Sequence, residues 1–188
     1  MAQQWRSLAE VRADLENRFP HLQGSTWKPK SPLDDDYNCF AWGGCDSTQR
    51  WEPSFYPRWY WPIAWRELSI PNFIEAFATL GYRPCALNSS FEFGFQKIAI
   101  FADEEQTPTH IARQHLLGLG WLSKLGDLED IFHRGLHDVR GDTSPQSEEY
   151  GAVVLVLKRN WWTGLKFGLD RGIADAYKFW RQRRKHWK

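Results

Sequence analysis

Cys39 is the residue of this sequence whose position best suits covalent chemistry, because it stands in the first turn of a predicted helix. The preceding residues 34–38 are three aspartates, a tyrosine and an asparagine, and such residues favour a helix N-terminus. A first-turn thiolate is stabilised by the helix dipole and by free backbone N–H groups. We therefore predict that Cys39 is a hydrolase nucleophile, with Asn38 and those N–H groups beside a developing oxyanion. In the alternative interpretation, Cys39 is a small buried apolar residue, the commonest role of a free cysteine.

A thiol nucleophile requires a base, and the six histidines of the chain supply the candidates. His110 is preferred because it lies inside a predicted strand at residues 108–116, and a strand holds its side chains more rigidly than a loop does. His133 follows Glu129 and Asp130 and is the second candidate, either as the base or as the group that orients it. Asp130 is a candidate carboxylate for the same orienting role. Each histidine is also consistent with a structural role in the core.

Polar and aromatic side chains near these residues are predicted to line a substrate cleft. Two short, otherwise apolar strands carry many polar groups, which indicates one polar cleft wall; a solvent-facing sheet surface is the alternative. The chain has 12 tryptophans, six of them between Trp27 and Trp65, and these form either an aromatic wall or part of the core. The predicted substrate-binding residues are Asn38, Trp42, Trp61, Arg113, Gln114, Ser123 and Lys124.

The order of the predicted elements, with helices first and mostly strands later, is typical of an α+β fold. The spacing of Ser7 and Glu10 is that of a capping box at the first helix. The predicted helices cover residues 8–19, 39–42, 69–80 and 128–136, with a final helix from residue 165 onward. The predicted strands cover residues 97–102, 108–116, 121–125 and 150–158. We predict one α+β domain at residues 1–160, with N-terminal helices packed on a small antiparallel sheet, and a basic amphipathic C-terminal helix or tail at residues 161–188.

Length and composition exclude several classes of protein. The 188 residues are 42% hydrophobic and 25% charged, which fits one folded domain and not a disordered chain. No apolar run reaches the roughly 18 residues that a membrane-spanning helix needs. No secretory signal is visible, so a cytoplasmic protein is expected. Three cysteines do not indicate a disulfide framework, no spacing indicates a zinc site, and no glycine-rich phosphate loop is present, so neither metal nor cofactor is predicted.

The formal net charge of +1 is the sum of an acidic body and a basic C-terminal segment. Residues 158–188 hold ten Lys or Arg and two acids, a balance of +8, whereas the remainder holds 14 basic and 21 acidic residues, a balance of −7. A basic amphipathic helix with tryptophans can bind an anionic membrane surface or nucleic acid phosphates. In the alternative, its apolar face packs on the body and its charges are solvated. The residues predicted for membrane or nucleic acid contacts are Arg181, Arg183, Arg184 and Lys185.

Six motifs occur in an order that resembles a family of uncharacterised bacterial domains, and the resemblance covers roughly residues 5–160. This resemblance implies no assigned reaction. The motifs are Tyr37-Asn38-Cys39-Phe40-Ala41-Trp42, Tyr60-Trp61-Pro62, Lys97-Ile98-Ala99-Ile100, Thr109-His110-Ile111-Ala112-Arg113-Gln114, Trp121-Leu122-Ser123-Lys124-Leu125-Gly126 and Asp130-Ile131-Phe132-His133.

The chain order of Cys39, His110 and a later polar residue is also similar to that of papain-like cysteine hydrolases of the cell-wall amidase type. This resemblance implies a papain-like core and a third catalytic residue among Ser123, Asp130 and His133. The sequence departs from the cell-wall type because Lys97 stands where those enzymes usually have their histidine.

These observations lead to one hypothesis and two alternatives. In the hypothesis, the protein is a cysteine hydrolase or acyl transferase that acts on an amide or thioester bond of a peptide or protein substrate. Cys39 attacks the bond, and His110 accepts the thiol proton while His133 or Asp130 orients its ring. The first alternative is a non-catalytic binding module whose aromatic loop and polar strands hold a protein, peptide or glycan. The second is an accessory protein that binds a membrane or nucleic acid through its basic tail.

Overall fold

The computed structural model describes residues 6–54, 59–140 and 150–166, in which three of the four helices come before residue 80 and most of the strands come after it. The helices are α1 (Leu8–Arg18), α2 (Cys39–Gly43), α3 (Ile70–Ala78) and α4 (Trp161–Lys166), with short 3-10 turns at Pro20–Leu22 and Leu136–Val139. The strands are β1 (Trp27–Pro29), β2 (Arg83–Cys85), β3 (Phe95–Ala102), β4 (Pro108–Gln114), β5 (Trp121–Lys124), β6 (Asp130–His133) and β7 (Ala152–Asn160). The predicted α+β class is confirmed, although the sheet is larger than expected.

The seven strands form one antiparallel sheet in the order β1-β6-β5-β4-β3-β7-β2. Short connections join β3, β4, β5 and β6 in succession, and β7 then returns to pair with the other side of β3. Strands β2 and β3 lie on opposite sides of β7, so residues 86–94 must cross it. Lys97 fixes this crossing by donating from Nζ to the carbonyls of Asn88 (3.1 Å) and Ser90 (2.8 Å).

Side-chain alternation divides the core into two parts, one on each face of the sheet. The helices α2 and α3 cover one face, which we call the α2 face, and helix α1 packs on the other, which we call the α1 face. On the α2 face, strand residues Ile98, Ile100, Ile111 and Leu157 pack with helix residues Phe40, Phe73 and Phe77. On the α1 face, strand residues Ala99, Phe101, Ala112 and Ile131 pack with helix residues Val11 and Leu15.

Two predictions of local structure had different outcomes. The capping box of α1 is confirmed: Ser7 Oγ accepts from the N–H of Glu10 at 3.3 Å, and the Glu10 carboxylate accepts from the N–H of Ser7 at 2.8 Å. The prediction of a helix at residues 128–136 is wrong, because Asp130–His133 is strand β6. Its backbone pairs with β5 on one side and β1 on the other, and the apolar residues of so short a segment fit either period.

Within the described ranges, no helix has the length and apolar character needed to cross a bilayer.

Candidate functional site

Asn38 builds the entry to α2 and is occupied by structural hydrogen bonds. Its Oδ1 accepts from the N–H of Ala41 at 3.2 Å, which caps the helix as predicted, and from the N–H of Trp51 at 3.1 Å. Its Nδ2 donates to the carbonyl of Trp51 at 2.8 Å. The Asn38 amide therefore ties the loop at Trp51 to α2, and it is not directed at the Cys39 thiol as an oxyanion donor would be.

Cys39 begins α2, as predicted, but its thiol is buried. The residue is 7% exposed, and its Sγ lies 3.9 Å from the carbonyl oxygen of Thr109 in β4. Burial raises the pKa of the Cys39 thiol to about 11. The helix that should stabilise a thiolate has only five residues, and desolvation outweighs its effect. The thiol is therefore protonated at neutral pH.

The structure does not bring Cys39 and His110 together. Cys39 packs beside Ile111 on the α2 face, whereas His110 is one residue earlier in β4 and points to the α1 face. There its ring lies 5.4 Å from that of Phe101 and stacks on Tyr150 at 4.1 Å between ring centroids. An imidazole on the far face of a sheet cannot accept the thiol proton, so the predicted nucleophile and base do not form a pair.

His110 instead belongs to a buried hydrogen-bonded chain with Ser123 and His133. His110 Nε2 lies 3.0 Å from Ser123 Oγ, and Ser123 Oγ lies 2.9 Å from His133 Nε2. Burial lowers the pKa of His133 to about 4 and that of His110 well below its usual value, so both rings are neutral at pH 7.

The hydrogen-bonding partners assign the tautomers of both rings. His133 Nδ1 lies 2.7 Å from the carbonyl of Gly135 and must donate, so its Nε2 accepts from the Ser123 hydroxyl. Ser123 Oγ then accepts from His110 Nε2–H, which leaves His110 Nδ1 as a buried acceptor without a protein donor. All three side chains are inaccessible to solvent. This series of hydrogen bonds therefore stabilises the ordered core.

Asp130 and Lys124 lie on the α2 face, and so does Cys39. The hydroxyl of Tyr37 donates to Asp130 Oδ2 at 2.6 Å, while Lys124 Nζ donates to the carbonyls of Asp34 (2.6 Å) and Leu128 (2.5 Å). Burial raises the pKa of Asp130 to about 6, although Lys124 and Tyr37 act in the opposite direction. Asp130 therefore cannot orient the His110 ring, which is on the other face.

Arg113 and the predicted aromatic residues pack mainly with one another. Arg113 Nη1 donates to the carbonyl of Trp42 at 3.1 Å, and the guanidinium carbon lies 4.0 Å from the centre of a Trp42 ring. Trp61 is buried, with its ring 5.0 Å from that of Phe73 and 6.5 Å from that of Trp51. At Trp51 and Trp61, the tryptophans form part of the core and not the wall of a cleft.

Gln114 lines a cavity of about 350 Å³ at the end of the sheet where β4 ends, β5 begins and β6 ends. Gln114 Nε2 donates to the carbonyl of Ser89 at 2.8 Å, and its Oε1 is buried without a protein donor. The carbonyl of Gly135, which accepts from His133, belongs to a residue of the same wall. The lining residues are Ser89, Ser90, Phe91, Gln114, Gly118, Leu119, Gly120, Trp121, Arg134, Gly135, Leu136 and His137.

Comparison with protein families identifies the family to which this chain belongs. A model of a family described as a domain of unknown function, DUF7689, matches residues 28–158. The chain belongs to this family. Neither the curated proteins nor the solved structures include a match to the chain.

The matched part of the DUF7689 domain contains the cavity, α2 and α3, and residues from all seven strands. Helix α1 precedes the match, and α4 follows it. Both the Cys39 region and the Gln114 cavity are therefore features of the domain and not of the flanking segments.

Sequence reasoning predicted Gln114 as a binding residue but missed the other cavity residues. Most of these lie in the loops at residues 86–94 and 115–120, which have no helix or strand period. One available signal was the apolar composition of these loops, since their exposed large side chains are Leu87, Phe91, Phe93, Leu116, Leu117 and Leu119. Exposed apolar residues concentrated in two neighbouring loops are typical of an interaction surface.

Two further predictions concern regions away from the cavity. Among the described residues, carboxylate oxygens of Asp34, Asp35 and Asp36 approach one another within 4.8 Å on a partly exposed loop, and this loop alone does not define a metal site. The tail residues predicted to bind a membrane or nucleic acid, Arg181, Arg183, Arg184 and Lys185, lie outside the described residues.

Proposed function

We propose that this DUF7689 domain is a binding module that holds an extended peptide segment of a partner protein in the Gln114 cavity. The observation that carries the proposal is Gln114, a residue of the cavity lining whose buried Oε1 has no donor from the protein. A buried acceptor left unpaired costs about 1–3 kcal/mol. A ligand N–H group that entered the cavity would remove this cost.

The orientation of the Gln114 amide supports this role. Its Nε2 donates to the carbonyl of Ser89, and a carbonyl can pair only with the nitrogen end of the amide. Oε1 is consequently the end left for a ligand. Backbone N–H groups of an extended peptide are donors of the required kind.

The lining of the cavity favours a peptide with both an apolar and an acidic side chain. Phe91 and Leu119 are half-exposed apolar residues at the cavity, and Leu136 adds a third apolar side chain. Arg134 is exposed in the same wall and provides a cation for a carboxylate. A volume of about 350 Å³ accommodates one or two peptide side chains.

The cysteine-hydrolase hypothesis has less support than the binding module. It requires a base beside the Cys39 thiol, and the His110 ring faces the opposite side of the sheet. The raised pKa of the Cys39 thiol is also unfavourable for a nucleophile.

The proposal can be tested with a displayed library of random heptapeptides, selected on the full chain and then measured by fluorescence anisotropy. We expect enriched peptides to contain an apolar residue next to Asp or Glu. Gln114→Met keeps the side-chain volume and removes both the acceptor and the Nε2 donor to Ser89, and should weaken binding about fivefold or more. Arg134→Gln should weaken the binding of acidic peptides and not that of their amide analogues.

The matched controls are Gln49→Met and Arg83→Gln, which change exposed residues away from the cavity lining. Both should bind the selected peptides as the unmodified chain does. A selection without enrichment, or peptides that bind Gln114→Met and the unmodified chain equally well, would overturn the proposal.

A further inference from the structure

Three neighbouring segments expose large apolar side chains at one end of the sheet. Phe93, in the loop before β3, is 81% exposed, Leu117, in the loop after β4, is 70% exposed, and Trp162 in α4 is 77% exposed. Strands β4 and β7 both run antiparallel to β3, so both end at the edge of the sheet where β3 begins. The three side chains therefore lie on the same side of the molecule, and we call them the loop-tip patch.

Contacts between the segments hold the loop-tip patch together. The ring of Phe93 lies 5.2 Å from that of Trp161, and the N–H of Trp161 donates to the carbonyl of Gly94 at 2.9 Å. Phe91 packs on Gly118 so closely that a Cβ atom at Gly118 would lie 2.5 Å from the Phe91 ring. The loop at residues 86–94 therefore contacts α4 on one side and the loop at residues 115–120 on the other.

The loop-tip patch is a surface separate from the Gln114 cavity. Single exposed apolar side chains are ordinary in proteins, but a group of them on neighbouring segments is typical of an interaction site. None of the three patch residues lines the cavity. A ligand of the patch is therefore additional to the peptide proposed for the cavity, and it does not depend on that proposal.

A strongly basic segment begins beside the loop-tip patch. Helix α4 follows β7 directly and ends at Lys166. Residues 167–188, which continue from it, hold seven Lys or Arg and two acids, a balance of +5. Surfaces that bind anionic membranes combine these two features, because apolar side chains enter between the lipid headgroups while cations attract the acidic headgroups.

Two other ligands are less consistent with this surface. The phosphates of duplex nucleic acid attract basic residues, but they offer no apolar contact to Phe93 or Leu117, and protein–nucleic acid interfaces are polar. A second copy of the chain docked through the patch would bring two basic segments together, and like charges repel. An anionic membrane suits both the apolar side chains and the charge.

We propose that the loop-tip patch inserts into the headgroup region of an anionic membrane, and that the basic residues among 167–188 bind the acidic headgroups. The apolar side chains leave water as they insert, which favours binding to any bilayer. The basic residues restrict the binding to bilayers with negative charge.

The first experiment measures how much of the full chain sediments with sucrose-loaded vesicles of phosphatidylcholine, prepared with or without phosphatidylserine. We expect strong binding only to vesicles that contain phosphatidylserine. This binding should weaken as the salt concentration rises, because salt screens the attraction between the protein and the lipid charges. Equal binding to both kinds of vesicle, or binding to neither, would overturn the proposal.

The second experiment removes the apolar side chains one at a time. Phe93→Ser and Leu117→Ser should each weaken binding to phosphatidylserine vesicles about tenfold. The matched control is Leu8→Ser, because Leu8 is an exposed leucine close to the ion pair of Arg6 with Glu129, at the opposite end of the sheet. It should bind as the unmodified chain does. Patch variants that bind as tightly as Leu8→Ser would contradict insertion.

The third experiment tests the charge and the two other ligands. The double variant Arg183→Gln with Arg184→Gln should weaken vesicle binding about tenfold or more. A DNA duplex offered at the same salt concentration should bind more weakly than the vesicles. Tighter binding to DNA that is unchanged in Leu117→Ser would assign the basic residues to nucleic acid and overturn the proposal. A dimer in light scattering that Leu117→Ser dissociates, without vesicle binding, would assign the patch to a second copy.

Discussion

The hydroxyl of Tyr37, just before α2, donates a 2.6 Å hydrogen bond to the carboxylate of Asp130 at the start of β6. This contact joins two segments that are 93 residues apart and places both groups on the α2 face. It also leaves Asp130 Oδ1 buried without a donor, and burial raises the pKa of Asp130 to about 6. The free energy of unfolding should therefore depend on pH through the protonation of Asp130.

We expect Asp130→Asn to gain stability relative to the unmodified chain as the pH rises. The pKa of Asp130 is higher in the folded than in the unfolded chain, so its contribution to stability is complete below about pH 4 and is lost as the pH rises through about 6. The substitution removes this loss, and the difference between the two free energies of unfolding should shift by about 1–3 kcal/mol in its favour between pH 4 and pH 7. Urea titrations followed by tryptophan fluorescence measure it. Asp127→Asn, at an exposed position, is the control, and a difference independent of pH would refute the prediction.

The buried histidines predict the opposite pH dependence for the chain as a whole. The pKa values of His110 and His133 are lowered in the folded state, so unfolding takes up protons and is favoured as the pH falls from about 6.5 to about 4. Two such groups outweigh the single Asp130, and the free energy of unfolding should decrease by about 2 kcal/mol or more over this range. Denaturant titrations at several pH values test this. A stability that is constant from pH 7 to pH 4.5 would contradict the assignment of neutral rings.

Ser123→Ala should destabilise the fold by about 2–4 kcal/mol, because it leaves both His110 Nε2–H and His133 Nε2 buried without partners. Ser90→Ala, at an exposed position, should change the free energy of unfolding by less than about 0.5 kcal/mol. Thermal unfolding followed by circular dichroism gives both values. If the two variants were equally stable, the buried chain of hydrogen bonds would have no structural importance.

Gly151→Ala should be strongly destabilising, by about 3 kcal/mol or more. Gly151 has φ +70°, and a Cβ atom there would lie 1.9 Å from the carbonyl oxygen of Ala102, which is backbone and cannot move aside. Gly24 has φ +74° with open space around the same position, so Gly24→Ala should cost only about 1 kcal/mol. Chemical denaturation gives the free energy of unfolding of each variant, and the difference between the two separates the steric cost from the cost of the positive φ. Equal losses of stability in both variants would show that the backbone of β3 moves to make room for the Cβ atom.

Local patterns in the sequence were enough to predict several elements of the fold. The capping box of Ser7 and Glu10 and the short helix that begins at Cys39 depend on interactions between near neighbours, and both were found. The long strand β7 was also found, because its continuous apolar run predicts a strand whatever its partners are. The segment at residues 128–136 was misassigned because its period is ambiguous over so few residues, and pairing with distant strands decided its conformation.

The sequence alone determined which residues could do chemistry, because residue type and local spacing are properties of the chain itself. The tertiary structure decided which of them meet. Alternation along β4 predicts that His110 and Arg113 face opposite sides, but only the docking of α2 on one of those sides separates Cys39 from His110. The same packing encloses Cys39 in apolar surroundings and leaves the sulfur of Cys45 beside Arg159, a contact between residues 114 apart in sequence. Burial raises the pKa of the Cys39 thiol, and a long-range contact places the Cys45 sulfur beside Arg159; neither is encoded in the spacing of a local motif.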